Sequence, residues 1–344
     1  MSLSMERLLE VLRCPACHGQ LCVSDGNAEN NGDIYLECRR CQQQFPIINN
    51  VPRLLLSPLR EALLGNGAAG GDSDPQVKTA RSFGFEWTRF PEMYAEWNQS
   101  FLNYMQPHEA EFFRGKKVLD AGCGNGRFAH YAARYGAEVW AIDLGPAVEV
   151  ARRNTEQAGV VQVAQADLHQ PPFALESFDF IYSIGVLHHL PDPEAAFQNL
   201  LRYLKPGGEI QIYLYWSAEG KPIKRALLAI VSVMRKVTTR LPHRAVYGLA
   251  FPAAVAAFTF FVWPYRLLRK LGLKGLAEKM PMKQYAAFPF RVCVNDQLDR
   301  FSAPIENRYT RKEVEEWLRR GNLQDRQVAP SYGWVATGRK PRGA

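Results

Sequence analysis

The run Val118-Leu-Asp-Ala-Gly-Cys-Gly-Asn-Gly-Arg-Phe128 constrains the fold of this chain more than any other stretch of its length. Its apolar start reads as the end of a β-strand, Gly122, Gly124 and Gly126 as a tight turn, and the residues from about Arg127 as the opening of a helix. Glycine lets backbone turn sharply and approach a ligand closely, and a helix N-terminus presents unpaired N–H groups. A nucleotide-like ligand is the natural occupant. Around the run, KVLDA, EVWAID, VVQVAQ, FDFIYSI and GEIQIYLY read as strands separated by helical patterns. That alternation predicts βαβ units and a parallel sheet.

The glycine spacing narrows the ligand. A dinucleotide fingerprint, G-x-G-x-x-G/A, requires a small residue where this chain has Arg127, and its third glycine stands one residue early at Gly126. The pattern D-x-G-x-G-x-G, beginning at Asp120, instead resembles motif I of the class I S-adenosylmethionine-dependent methyltransferases. The resemblance implies an α/β, Rossmann-like sheet of seven strands with the last antiparallel, formed by residues 80–220 and 294–344. It implies that Asp120, Gly122, Gly124 and Gly126 cradle S-adenosylmethionine, and that Asp143, ending the second strand, accepts from the ribose hydroxyls. It implies that Asp167 and Leu168, after the third strand, meet the adenine. FDFIYSIGVLHHL and LKPGGEIQIY follow the same family's wording for strands four and five.

Methyl transfer from a sulfonium is mainly a matter of holding a nucleophile in line, so no acid–base pair is obligatory. His188 and His189, just past strand four, lie where the family borders the methyl group, and either could take a proton from an acceptor hydroxyl. A helix-capping or wall role is the alternative for both. After strand four the chain reads Ser183-Ile184-Gly185-Val186, without the Asn/Asp-Pro-Pro-Tyr/Phe signature of exocyclic-amine methyltransferases and without a Pro-Cys nucleophile.

Two CxxC pairs, Cys14/Cys17 and Cys38/Cys41, are twenty residues apart, the spacing of a tetrahedral zinc site. The unit that holds them, residues 1–58, is short enough to need such a staple. Its wording, LLEVLRCPACHGQL and LECRRCQQQFPIINNVPRLL, resembles a small zinc-ribbon family found as free bacterial proteins and as activator subunits of methyltransferases. The resemblance implies a structural cap rather than a nucleic-acid reader, because Arg39 and Arg40 are its main basic residues. GNGAAGGDSDP then predicts a flexible linker within residues 59–79. The following RSFGFEWTRFPEMYAEW is aromatic enough to predict core packing for most of its rings, with a lid over the cofactor or substrate as the alternative for Phe85, Trp87 and Tyr94.

Residues 221–293 read as a helical insert that is apolar and basic together. From 221 to 291 fourteen Lys and Arg face one acid, Glu278, so this segment carries +13 where the whole chain carries +8, leaving about −5 elsewhere. Lys224/Arg225 and Arg235/Lys236 return to one helix face, and Arg266, Arg269, Lys270 and Lys274 oppose Leu267, Leu268 and Leu271. Such helices suit an anionic membrane surface. The expected function is therefore methyl transfer to a small-molecule or lipid-linked acceptor, glycans included, at the cytoplasmic membrane face. RNA methylation through the ribbon and the basic insert is the alternative, and a protein-binding scaffold the third. The N-terminus has no secretory pattern, which predicts the cytoplasm. Residues 245–265 hold no charge, but Gly248 and Pro252 predict two short helices there rather than a span.

Overall fold

The computed structural model describes residues 3–25, 34–65 and 74–343, so the middle of the expected linker, residues 66–73, lies outside the described residues. Its ends are ordered: helix α2, Leu59–Leu64, precedes it and α3, Pro75–Arg89, follows, which confines any linker to a shorter stretch than 59–79. Asp74 caps α3 by accepting from the Gln76 backbone N–H at 2.7 Å, and Pro75 needs no donor at that position.

The chain divides into two compact units. Residues Met1–Met93, Trp97–Glu219 and Ile305–Ala344 form the first, and Tyr94–Glu96 with Gly220–Pro304 the second. The return from the insert thus falls at Ile305 rather than at 294.

In the first unit one sheet has eleven strands where seven were expected, in the order β1-β2-β3-β4-β7-β6-β5-β8-β9-β11-β10. The seven are present: β5 (Lys117–Ala121), β6 (Glu138–Asp143), β7 (Val161–Ala166), β8 (Phe178–Ile184), β9 (Leu204–Leu214), β10 (Gln324–Pro330) and β11 (Trp334–Arg339). From β5 to β9 they pair in parallel, and β11 lies antiparallel between β9 and β10. Near-continuous burial along β5, β6 and β8 is what a parallel sheet covered on both faces requires.

The other four strands are the ribbon's: β1 (Leu21–Asp25), β2 (Ile34–Cys38), β3 (Gln44–Ile48) and β4 (Val51–Leu54). They extend the sheet because β4 runs parallel to β7, with Arg53 opposite Gln165 and Leu54 opposite Ala166. Arg53 is buried, donates to Gln165 Oε1 at 3.1 Å and pairs with Glu149. On the other side of the ribbon, Arg13 N–H donates to the Pro172 carbonyl and Ala174 N–H to that of Val11, both at 2.8 Å. One apolar core therefore runs from Leu8, Leu12 and Phe45 to Leu119, Trp140 and Ile142. The ribbon is built into the catalytic sheet.

The second unit is helical: α8 (Pro222–Thr238), α9 (His243–Ala257), a π-turn (Phe258–Val262), α10 (Trp263–Lys270), α11 (Lys274–Ala277) and α12 (Phe290–Ser302). Two short helices were expected over residues 245–265, but α9, the π-turn and α10 form one helix, His243–Lys270, passing through Pro252. Tertiary packing overrides the proline. Val246, Ala250, Ala254, Ala257, Phe258 and Val262 are buried along one side, and Phe258 meets Phe290 of α12 edge-on at 5.0 Å. Pro252 sits on the opposite, exposed side, as does Gly248, whose carbonyl loses its helical donor at the proline.

Candidate functional site

The glycine loop turns where strand order reverses, between β5 and β8, which is where open α/β sheets bind ligands. All three glycines have positive φ, at 96°, 53° and 81° for Gly122, Gly124 and Gly126. A Cβ on Gly122 would fall 2.4 Å from a Val186 methyl, one on Gly124 2.9 Å from Trp87 Nε1, and one on Gly126 2.8 Å from the Ala151 Cα. No side chain fits at any of them. Gly126 then opens α5, Arg127–Arg134.

Three carboxylates stand at the ends of neighbouring strands. Asp120 is buried beneath the loop and accepts from the Tyr182 hydroxyl at 3.0 Å. Burial pushes its carboxyl up to about 7, with the Tyr182 hydrogen bond pulling the other way. Asp143 accepts from the Gly124 N–H at 2.9 Å and the Gly145 N–H at 2.8 Å, one on each oxygen. Burial raises it too, against those backbone donors. Asp167 accepts through Oδ1 from the backbone and ring nitrogens of His169 and from Gln76 Nε2, at 3.0–3.1 Å. Leu168 is buried in the core, leaving only its backbone for a ligand.

Beside Asp167 lies a cleft of about 210 Å³, polar at Asp74, Gln76 and Gln170 and apolar at Leu54, Leu56 and Pro58. A flat heteroaromatic ring with polar edges suits that lining. More than half of this wall comes from the ribbon and the start of α2, and Gln76 from α3. Sequence reasoning missed these residues because they are 91 or more positions before Asp167 in the chain. For Trp87 the sequence left core packing and a lid over the cofactor or substrate both open; the ring is half-buried and lies against Gly124, with Arg127 stacked over it at 4.8 Å. The helix carrying Trp87 reaches the loop after β6 because Gly84 and Gly145 carry no Cβ: one there would fall 2.5 Å from Pro146 Cδ or 2.7 Å from the Ala80 carbonyl oxygen.

His188 and His189 sit on a single 3-10 turn, Leu187–His189, after β8. His188 is fully buried and stacks on Tyr215 with ring centres 3.8 Å apart. Burial, the neighbouring His189 and the Arg308 guanidinium hold its pKa well below the usual histidine range, so it is neutral at physiological pH. His189 Nδ1 lies 2.6 Å from the Ile305 carbonyl oxygen. A carbonyl only accepts, so the proton sits on Nδ1, and in the neutral ring Nε2 carries the lone pair, with no protein partner. Asn307 secures the same turn, donating from its backbone to the His188 carbonyl at 2.8 Å.

The four cysteine sulfurs lie within 4.8 Å of one another, with Cys14 and Cys41 3.6 Å apart and Cys17 and Cys38 3.4 Å apart. A tetrahedral zinc with Zn–S bonds of about 2.3 Å separates its sulfurs by about 3.8 Å, so the set fits one ion. Both knuckles close alike. His18 N–H donates to the Cys14 carbonyl at 2.8 Å and Gln42 N–H to that of Cys38 at 2.9 Å, and His18 and Gln42 both take positive φ. Gly19 is a further requirement that sequence reasoning did not single out, since a Cβ there would press on Cys38 Sγ at 2.9 Å.

Known proteins agree with this anatomy. A family model described as a methyltransferase domain matches residues 119–212, and one described as Trm112p-like protein matches residues 6–50. Among curated relatives, the Ubiquinone biosynthesis O-methyltransferase of Actinobacillus pleuropneumoniae serotype 5b (strain L20) is 34% identical over 166 residues, 42% of this chain and 69% of that protein. Its namesake from Acinetobacter baylyi is 34% identical over 134 residues, spanning 38% of this chain and about half, 54%, of the relative. That from Aliivibrio fischeri (strain MJ11) is 29% identical over 184 residues, 52% of this chain and 70% of the relative. A solved S-adenosylmethionine dependent methyltransferase from Mesorhizobium loti is 30% identical with a TM-score of 0.30, covering 36% of this chain and 54% of that one. The chain belongs to the class I S-adenosylmethionine-dependent methyltransferases, and a Trm112p-like zinc ribbon forms its N-terminal part.

Proposed function

We propose that this enzyme methylates a hydroxyl oxygen on a small acceptor with an apolar, lipid-linked portion, working at the cytoplasmic surface of a membrane. The observation that carries the chemistry is the 2.6 Å contact from His189 Nδ1 to the Ile305 carbonyl, which orients the ring and, in its neutral form, leaves the Nε2 lone pair to act as a base. His189 takes the acceptor proton as the oxygen attacks. His188, neutral and stacked on Tyr215, forms the wall that keeps water from the reacting oxygen.

Gly122, Gly124 and Gly126 hold S-adenosylmethionine, with Asp143 on the ribose and Asp167 and the Leu168 backbone on the adenine. Asp143 suits its role because each oxygen already engaged by a loop N–H keeps a second lone pair for a hydroxyl. When bound, the cofactor supplies a sulfonium methyl open to a single in-line displacement. Asp120 lies under the loop and fixes it through Tyr182. Cys14, Cys17, Cys38 and Cys41 hold zinc, whose part is to fix the ribbon against β7.

Oxygen is favoured as the acceptor atom by the relatives' names, which specify O-methyltransferases of ubiquinone biosynthesis. The membrane surface is favoured by the +13 charge of residues 221–291 together with the exposed apolar side chains of the second unit. The test is to incubate a host lysate with methyl-labelled S-adenosylmethionine and this protein, then separate lipid, RNA, protein and small molecules. Label in the lipid-extractable fraction, lost with His189→Gln, is expected. Label confined to RNA would overturn the proposal.

A further inference from the structure

The second unit leaves its apolar side chains in water. On α8, Ile223, Leu227, Ile230, Met234 and Val237 are 79, 58, 57, 46 and 61% exposed, and Leu241, just past the helix, is 38% exposed. The steps of four, three, four and three residues from Ile223 to Val237 keep these side chains within about 40° of one line, making an apolar stripe about 21 Å long on α8 with Leu241 just beyond its end. Soluble monomers rarely expose a contiguous apolar patch of that size. Lys224, Arg225, Lys236 and Arg240 stand off this line, all exposed, while Arg235 is buried and donates to the Arg300 carbonyl at 3.2 Å. A second apolar face, with Leu249, Val255, Phe260, Trp263 and Leu267 exposed, runs along His243–Lys270.

We propose that α8 is an in-plane membrane anchor. Its stripe from Ile223 to Val237 lies in the acyl boundary of an anionic phospholipid leaflet, and its exposed Lys and Arg reach the headgroups. This deepens the membrane-surface part of the function proposed above and rests on it. Charge selects the occupant: with +13 on the segment, a second copy would be repelled, whereas an anionic leaflet is attracted. Long basic side chains can cover apolar surface with their stems and keep their heads in the headgroup layer.

Topology settles the manner of contact. β9 before the unit and β11 after it are hydrogen-bonded neighbours in one sheet, so the chain must leave and return on the same side of any bilayer. Crossings must then be even in number, and among the described residues only His243–Lys270 is long and apolar enough to cross. The unit therefore enters one leaflet from one side and does not span it.

Flotation of the full-length, zinc-loaded protein with lipid vesicles tests this without an acceptor. We expect the protein to float with vesicles containing phosphatidylglycerol, at least about tenfold more than with phosphatidylcholine alone, and less in high salt. Leu227→Glu with Met234→Glu should lower flotation at least about tenfold. Because both side chains are already exposed, unchanged zinc content and unfolding midpoint would confirm that the variant folds. Lys224→Glu with Arg225→Glu, which leaves the stripe intact, should remove the preference for phosphatidylglycerol. If wild type floats and the stripe variant floats equally well, the α8 anchor is wrong and the membrane reading survives. If wild type floats with neither vesicle, or is captured by RNA instead, both fall. Retention in the membrane after alkaline carbonate extraction would overturn the in-plane arrangement in favour of a crossing.

Discussion

The two units of this chain solve opposite physical problems with their apolar side chains. The first hides its large side chains: Trp140, Tyr182, Phe178, Phe180 and Phe197 are among the largest fully buried groups, and every strand finds a partner. The second displays them. Of the twenty large apolar side chains exposed among the described residues, sixteen lie between Ile223 and Leu276. A buried core makes folding the selected property of the first unit, and an unburied one makes surface the selected property of the second. Changes in the first unit should therefore register in fold and chemistry, and changes in the second in where the molecule goes.

Loss of zinc is expected to have the largest effect. The ribbon lends β4 to the large sheet and Leu54 and Leu56 to the cleft beside Asp167, so on the cofactor site proposed above its collapse would reach the cofactor. Cys38→Ser, or chelation, should weaken S-adenosylmethionine binding by more than about tenfold and lower the unfolding midpoint of the whole first unit. Calorimetric titration and thermal unfolding would show both. A ribbon that merely sits beside the sheet would lose its own structure and leave cofactor affinity as it was. Gly122→Val comes next: φ of 96° and a Val186 methyl 2.4 Å from any Cβ leave no strain-free arrangement. It should cost about 3 kcal/mol or more and abolish cofactor binding.

These two predictions differ in how far they were legible beforehand. Glycine spacing and CxxC spacing are local, and strands such as Glu138–Asp143 and Phe178–Ile184 matched the apolar runs that foretold them. The β4–β7 pairing depends on Arg53 meeting Gln165 and Glu149, side chains about a hundred residues away. No periodicity encodes such a meeting. The helix through Pro252 escaped for the converse reason, since a local rule was applied where packing against α12 decides. Both histidines were visible, but the feature that separates them, the Ile305 carbonyl, lies 116 positions from His189.

That separation is itself testable. His189→Gln should reduce kcat by about 10²–10⁴-fold with little change in KM, as removal of a general base does. His188→Gln should act through packing and leave a smaller defect. Because His188 is neutral throughout the physiological range, no acid limb near its ordinary pKa should belong to it. Equal loss from both variants would remove the distinction drawn here.

Asp120 gives a smaller effect with a defined sign. Its carboxyl titrates near 7 in the fold against about 4 in the unfolded chain, so across that window the native state holds the extra proton. Stability then falls as pH rises through it, by at most about 4 kcal/mol for a 3-unit shift. Asp120→Asn should flatten this slope in urea unfolding followed from pH 5 to pH 8. Equal slopes in the variant and wild type would mean the buried carboxyl is already ionised across this range.

Smallest of all should be Gly248→Ala, and it opposes the Gly122 case directly. A Cβ on Gly248 meets nothing within 4 Å, and the residue sits inside α9 with a helical backbone. Removing glycine's backbone freedom should stabilise that helix by about 0.5–1 kcal/mol. Hydrogen exchange should slow in α9 and stay unchanged in β5 and β6, with zinc content and cofactor affinity as in wild type. If this single methyl group instead altered exchange in the sheet, the two units would fold as one, and the separation of chemistry from surface would fail at its weakest point.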